Sequence, residues 1–368
     1  MPRSVESLFT PFTLRNLTLP NRIVMAPMTR AFSPGGVPGT DVAAYYRRRA
    51  EYGVGLIITE GTVVPHPASS MNPAVPNFFG DASLAGWARV LSAVHDAGGR
   101  IMPQLWHVGT FHKPGSQPNP DAVPFGPSGL TKPGEKIAEP PGQAEIAEVV
   151  DAYARAASSA RQLGFDGIEL HGAHGYLIDQ FFWEGTNQRT DQYGGSLAAR
   201  GRFGFEVVRA CRRAVGPDFP IVLRYSQWKL QDFNAKLAET PEELSTFLTP
   251  LAEAGVDVFH CSTRRFWQPA FDGSHLTLAG WTKKLTGKPV IAVGSVGLDN
   301  DFVAGLIERK TGHNSGLERL VQMIDEGEAD LVAIGRALLV DPAWAAKIRD
   351  GRTEELVPFT PDATKTVY

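Results

Sequence analysis

The sequence predicts one (β/α)8 barrel over residues 1–368, and three observations carry that expectation. Eight short apolar runs rich in β-branched residues recur along the chain, as strands buried on both faces of a parallel sheet do. Helical periodicity fills most of the intervals between them. No linker or break in composition lies near the middle, where two open α/β domains would need one.

In chain order, the first run is residues 22–27 (RIVMAP), followed by an amphipathic stretch at 41–52. The second, 55–61 (GLIITEG), precedes a helical pattern at 83–97. After the third, 100–106 (RIMPQLW), the Pro/Gly-rich residues 113–142 read as a long loop over one barrel mouth. A helix at 143–163 follows, with Gly164 placed to end it. The fourth run, 167–172 (GIELHG), leads to a helix at 197–215. The fifth, 221–226 (IVLRYS), leads to one at 240–254. There Thr240 can cap, Pro241 suits the first turn, Glu242 and Glu243 match the dipole, and Gly255 ends the helix. The sixth and seventh runs are 258–263 (VFHCST) and 289–295 (PVIAVGS). A long segment, 297–316, separates the seventh from a helix at 316–326. The eighth is 330–337 (DLVAIGRA), and Asp341-Pro342-Ala343-Trp344 begins a last helix that runs to 349. Successive run ends lie 32 to 66 residues apart, room for a crossover helix each time.

Composition narrows the function. Hydrophobic residues are 43% and charged residues 20%, a globular mixture. With 38 Gly and 28 Pro the chain stays below the ~25–30% that marks low complexity. Lys and Arg number 36 against 39 Asp and Glu, a net charge of −3, so no basic field exists to hold a nucleic acid. No apolar run approaches the ~18 residues of a membrane span. The opening MPRSVESLFTPF lacks the apolar core of a signal peptide, so a cytoplasmic protein is expected. Two cysteines, Cys211 and Cys261, cannot build a disulfide framework or a four-cysteine metal or iron–sulfur site. What remains is an enzyme of small molecules.

Barrel chemistry sits at the C-terminal ends of strands. The fourth run ends in His171-Gly172-Ala173-His174-Gly175-Tyr176, two imidazoles and a phenol in close sequence. Helix-capping or core histidines would give the same spacing, and a metal reading fails for want of further ligands at neighbouring run ends. His260 is the one extra imidazole, its direction unsettled by strand alternation. The third run ends in Gln104 and Trp106: an amide suited to a flat heterocycle, and an apolar wall. Arg224, in the fifth, needs an anion or an electron-rich carbonyl; an ion pair with Glu169 or Glu60 would also serve. Gly294-Ser295 and Gly335-Arg336 end the seventh and eighth runs, where barrels hold phosphate on backbone N–H groups. A flavin mononucleotide lying across the mouth fits the phosphate end, the polar edge and the imidazole/phenol pair together.

The chain resembles the old yellow enzymes, the FMN-dependent ene-reductases that include pentaerythritol-tetranitrate, morphinone and 12-oxophytodienoate reductases. The matching stretches, in family order, are LFTPFTLRNLTLPNRIVMAPMTR, GLIITEG, PQLWHVG, GFDGIELHGAHGYLIDQFFWEGTNQRTDQYGGS, AVGSVG and ADLVAIGRALLVDPAW. The resemblance implies non-covalent FMN reduced by NADPH or NADH, then reduction of activated alkenes in ping-pong turnover. It implies flavin contacts from Ala26, Pro27, Met28, Thr29, Gly61, Gln104, His171, Arg224, Gly294, Ser295, Gly335 and Arg336. His171 and His174 would hold the substrate's carbonyl or nitro oxygen while hydride reaches the β-carbon. Tyr176 would protonate the α-carbon, and Trp106 would line the pocket. No metal is implied.

Some positions depart from the family pattern. Gly61 stands where alanine is usual, and Trp183, Trp228, Phe266 and Trp267 bring unfamiliar aromatics toward the mouth, as loop packing or as a reshaped pocket. The chain ends soon after the eighth helix, so the NAD-binding and iron–sulfur region of larger relatives is not expected. Two rivals remain: a phosphosugar lyase or isomerase, which would need a Schiff-base lysine or a carboxylate base in the mouth, where no run end offers a lysine, and a non-catalytic flavin-binding barrel.

Overall fold

The computed structural model describes residues 4–301 and 303–368; Met1–Arg3 and Phe302, part of the single domain expected over 1–368, lie outside the described residues. The chain opens with a hairpin of β1 (Phe12–Leu14) and β2 (Leu17–Leu19), then β3 (Ile23–Met25) and α1 (Thr40–Glu51). β4 (Leu56–Val63), α2 (Asp81–Asp96) and β5 (Ile101–Trp106) follow, with a small hairpin of β6 (Leu130–Lys132) and β7 (Glu135–Lys136) in the long loop before α3 (Gln143–Leu163). Next come β8 (Ile168–His174), α4 (Leu177–Phe182), α5 (Leu197–Arg200), α6 (Arg202–Val215), β9 (Ile221–Lys229) and α7 (Pro241–Ala254). The chain closes with β10 (Val258–Ser262), α8 (Leu278–Thr286), β11 (Val290–Val293), α9 (Leu317–Asp325), β12 (Leu331–Ile334), α10 (Arg336–Val340) and α11 (Trp344–Arg349).

All eight expected runs are strands of one closed parallel barrel, in the order β10-β11-β12-β3-β4-β5-β8-β9. Alternation sends every second side chain inward. Val24, Ile58, Met102, Val222, Val258, Ile291 and Leu331 fill the lower interior, and Leu17 and Leu19 of the first hairpin plug its base. The outward residues pack with the helices into the main core. The caps follow the sequence: the Thr240 hydroxyl accepts from Glu243 N–H at 3.2 Å, and Gly164 ends α3 in the left-handed region at φ 94°.

Two expectations need correction. The helix expected at 197–215 is divided at Gly201 into two helices, although its dihedrals stay helical (φ −64°, ψ −18°). Gly201 keeps its own bonds, its N–H donating to the Leu197 carbonyl at 2.9 Å and its carbonyl accepting Phe205 N–H at 3.0 Å. α8 answers to no periodic pattern in the sequence reading; it is nine residues long, contains Gly280, and is started by the Thr277 hydroxyl accepting from Gly280 N–H at 3.3 Å.

Candidate active site

Above the apolar floor the inward positions turn polar. Register pairs Gln104 with Glu169, His171 with Arg224, Arg224 with His260 and Ser226 with Ser262, so these side chains share neighbouring levels of the barrel. Glu169 is fully buried and is taken from two sides: Gln104 Nε2 donates to it at 2.7 Å and His260 Nδ1 at 2.6 Å. That settles the direction of His260, which points inward. Burial holds its imidazole below the usual range despite the carboxylate beside it. Glu169 also fixes the Gln104 amide: one amide proton is spent on the carboxylate, leaving the other proton and Oε1 for a ligand.

Arg224 forms no ion pair with Glu169 or Glu60 among the described residues. Its Nη2 donates to Ser262 Oγ at 3.2 Å and its buried Nε has no partner. Burial lowers its pKa and the Glu169 charge opposes that, so it stays a cation with donor capacity left over. Glu60 does other work. Its Oε2 accepts N–H from Arg30 (2.8 Å) and Ala31 (2.9 Å), pinning the segment that follows β3. Burial pushes Glu60 up to about 7.

The residues at the end of β8 and just beyond it stand at the barrel mouth. His174 and Gly175 are both left-handed, with φ of 65° and 80°. His171, His174 and Tyr176 form a tight group, with ring centroids 5.2 Å (His171–His174) and 5.0 Å (His171–Tyr176) apart. His171 Nδ1 accepts from Ala173 N–H at 3.4 Å, which leaves Nε2 as the proton-bearing nitrogen of the neutral ring. His174 Nε2 meets Ser262 Oγ at 2.8 Å. Burial, then the Arg224 charge, hold both imidazoles well below the usual range, so both are neutral hydrogen-bonding groups at pH 7. Burial pushes the Tyr176 phenol up to about 12, so it keeps its proton.

Two indoles flank this group. Trp106 stands edge-on to Tyr176 at 4.9 Å and stacks toward His171 at 6.1 Å; Trp228 stacks on His174 at 4.6 Å. Gly61 does not line the cavity. A Cβ there would lie 2.6 Å from the Trp106 ring, so glycine at this position makes room for Trp106. Of the unfamiliar aromatics only Trp228 reaches the cavity, whereas Trp183 and Phe266 are buried in packing and Trp267 packs on the core.

A cavity of about 390 Å³ joins these groups to the phosphate end. It is lined by Ala26, Pro27, Met28 and Thr29 from the β3 end, by Gln104, Trp106, His171, His174, Tyr176 and Arg224, and by Gly294, Ser295, Gly335 and Arg336. Every expected site residue except Gly61 therefore faces one space. At Gly294 (φ 143°) a Cβ would lie 2.4 Å from the Thr263 carbonyl oxygen, so only glycine fits this close backbone approach. Arg336 spends its fork on Asn300 and the Asp301 carbonyl, at 2.6 to 2.9 Å, and burial lowers its pKa to about 10. It lines the space while holding the loop that follows β11. Sequence reasoning missed Arg264, which also lines the cavity and pairs with Asp301 at 2.7 Å. Only its place just beyond the sixth run could have flagged it.

These residues fit a flavin mononucleotide: a half-satisfied amide and an orphaned guanidinium N–H on one wall, small residues and cations at the far end, and apolar Ala26 and Met28 between. The lysine needed by a lyase calls for a correction, because β9 extends to Lys229. That side chain is fully buried against Asp179 and stays out of the cavity. Among the described residues no group of three or more His, Cys, Asp or Glu is disposed to hold a metal ion, and no helix is long and apolar enough to cross a membrane.

The model of the family described as NADH:flavin oxidoreductase / NADH oxidase matches residues 7–355. The chain is 36% identical over 368 residues to an NADH oxidase of Thermoanaerobacter brockii, covering 95% of this chain and 52% of that protein. It is 45% identical over 226 residues to 12-oxophytodienoate reductase 7 of Oryza sativa subsp. japonica, covering 57% and 56% respectively. The chain thus spans about half the length of these two relatives. A structure of morphinone reductase in complex with tetrahydroNAD superposes with a TM-score of 0.82 at 32% identity, covering 97% of this chain and 94% of that one. An old yellow enzyme homologue from Zymomonas mobilis gives 0.80 at 27% identity, covering 98% and 96%.

Proposed function

The chain belongs to the NADH:flavin oxidoreductase / NADH oxidase family, the old yellow enzymes, and from that premise we propose that it is an FMN-dependent NAD(P)H ene-reductase acting on α,β-unsaturated carbonyl or nitro compounds. The observation that carries the reading is the group of His171, His174 and Tyr176, facing the same cavity as Gln104 and Arg224. When bound, FMN supplies hydride acceptance from the nicotinamide and hydride donation to the alkene's β-carbon.

The chain's own groups divide the remaining work. Gln104, oriented by Glu169, binds the polar edge of the cofactor, and the Arg224 cation offsets negative charge there. Ser295, Gly335 and Arg336, with the close approach allowed at Gly294, hold the phosphate. Ala26, Pro27, Met28 and Thr29 border the ring system. His171 and His174, neutral at pH 7, donate hydrogen bonds to the substrate oxygen, which draws electron density from the β-carbon. Tyr176 holds its proton to high pH and gives it to the α-carbon. Trp106 and Trp228 wall the substrate space and exclude water from it.

The test is optical. The purified protein should be yellow, should bleach when NADPH or NADH is added without oxygen, and should regain its colour with 2-cyclohexen-1-one. A colourless protein that FMN does not restore would sink the flavin reading. A yellow protein that neither nicotinamide bleaches would favour a flavin-binding barrel without turnover.

A further inference from the structure

Lys229 and Asp179 form an ion pair in which both side chains are fully buried, with Nζ 2.7 Å from Oδ1. Neither faces the cavity. Burial lowers the Lys229 pKa and raises that of Asp179, the cost of keeping charges from water. Such a pair is a poor source of stability compared with apolar packing and is well suited to fixing one arrangement of chain.

What it fixes is visible in its remaining bonds. Asp179 Oδ2 accepts Gly175 N–H at 2.7 Å, and Lys229 Nζ donates to the Ser226 carbonyl at 3.0 Å. Between Gly172–Tyr225 and His174–Lys229 the register of β8 against β9 shifts, because β9 carries extra residues there. The Lys229–Ser226 bond closes this bulge, and a bulge re-aims the side chains on it. Trp228 lies in the bulge and stacks on His174. Ser226 Oγ accepts His174 N–H at 2.9 Å, and the His174 carbonyl accepts Leu230 N–H at 3.2 Å. The Gly175 carbonyl is taken by Gln180 and Gln231. Every backbone group of the two left-handed residues is thereby held, and a non-glycine residue such as His174 stays in that region only when its surroundings over-determine it.

We propose that Lys229 and Asp179 are positioning residues: their buried pair clamps the β9 bulge to the His174–Gly175 turn and so sets where His174, Tyr176 and Trp228 stand around the substrate. The clamp's effect on substrate rests on the ene-reductase reading; the clamp itself does not.

The experiment compares four full-length proteins: wild type, Asp179→Asn, Ser226→Ala and Val208→Ala. Asp179→Asn sets an amide between an ammonium and a backbone N–H, and one of those two bonds must be lost. Ser226→Ala is the milder variant, removing the acceptor of His174 N–H and the donor to the Trp228 carbonyl within the bulge. Val208→Ala is a buried change in α6 that controls for lost stability. Two readouts are taken: hydrogen–deuterium exchange of peptides covering residues 172–180, and the calorimetric Kd for 4-hydroxybenzaldehyde. Asp179→Asn is expected to speed exchange and weaken binding by about tenfold or more, with Ser226→Ala in the same direction. Val208→Ala should lower Tm and move neither. If Asp179→Asn fails to fold, Lys229→Met, which removes the other partner of the pair, takes its place with the same expected changes. Exchange and Kd within about twofold of wild type would overturn the clamp, as would equal weakening of binding by Val208→Ala. A colourless wild type that does not bind the phenol would sink the ene-reductase reading alone, and the exchange rates would still decide the clamp.

Discussion

Tyr176→Phe separates the proton donor from everything else in the site. The substitution keeps the ring, which packs against Trp106 at 4.9 Å and against His171 and Phe111 at 5.0 Å. Among the described residues the hydroxyl has no hydrogen-bond partner, so its loss is expected to change stability by no more than about 0.5 kcal/mol. A positioned general acid is worth about 10²–10⁴-fold in rate. At about 1.36 kcal/mol per decade, that is about 3–5 kcal/mol of barrier. Stopped-flow absorbance reads the two halves of turnover apart. Bleaching by NADPH should stay within about threefold of wild type, while recovery of colour with 2-cyclohexen-1-one slows by the factor above. The pH profile gives a second check. Burial pushes the phenol up to about 12, so the wild-type recovery rate should stay flat from about pH 6 to 9. An unchanged recovery rate in Tyr176→Phe, or an alkaline fall in wild type with an apparent pKa near the ordinary ~10, would remove Tyr176 as the donor.

Two further substitutions probe the supports of the site. Glu60 is pushed from 4.5 up to about 7 by burial, so between those values the folded protein keeps a proton that the unfolded chain has released. Its contribution to stability is greatest below pH 4.5 and is lost as pH rises through 7. Glu60→Gln resembles the protonated acid and retains an acceptor for Arg30 and Ala31; relative to wild type it should gain about 2–3 kcal/mol between pH 5 and 8 in urea unfolding. Parallel pH curves for the two proteins would contradict this. Glu169→Gln leaves one oxygen where Gln104 and His260 both donate, so one bond goes, at about 1–3 kcal/mol. Its Kd for FMN, from quenching of flavin fluorescence, should weaken by about tenfold, and an unchanged Kd would detach Glu169 from the cofactor edge.

The barrel was legible because a strand buried on both faces is a continuous apolar run, and all eight runs were of that kind. Residues at run ends, such as Gln104, Arg224 and Gly294, were legible with it, since a barrel brings strand ends to one mouth. What depends on register was not. The Glu169–His260 contact and the inward aim of His260 follow from how β8 and β10 stand on either side of β9, and a lone strand cannot state that. Lys229 fell outside its run because β9 bulges before reaching it. The first hairpin has three-residue strands, too short for periodicity, and its purpose appears only when Leu17 and Leu19 meet the barrel floor. Gly61 drew attention as a departure from the family pattern, but its physical meaning needed the Trp106 ring above it.

Isotope transfer tests the proposed chemistry most directly. Enzyme, 2-cyclohexen-1-one and NADPH deuterated at both C4 positions are incubated in ordinary water without oxygen, and the cyclohexanone formed is analysed by NMR and mass spectrometry. Hydride delivery to the β-carbon, with the α-proton coming through Tyr176, predicts a single deuterium at C3 and none at C2. Cyclohexanone without deuterium at C3, deuterium at C2, or no cyclohexanone from a yellow protein that NADPH bleaches would contradict it.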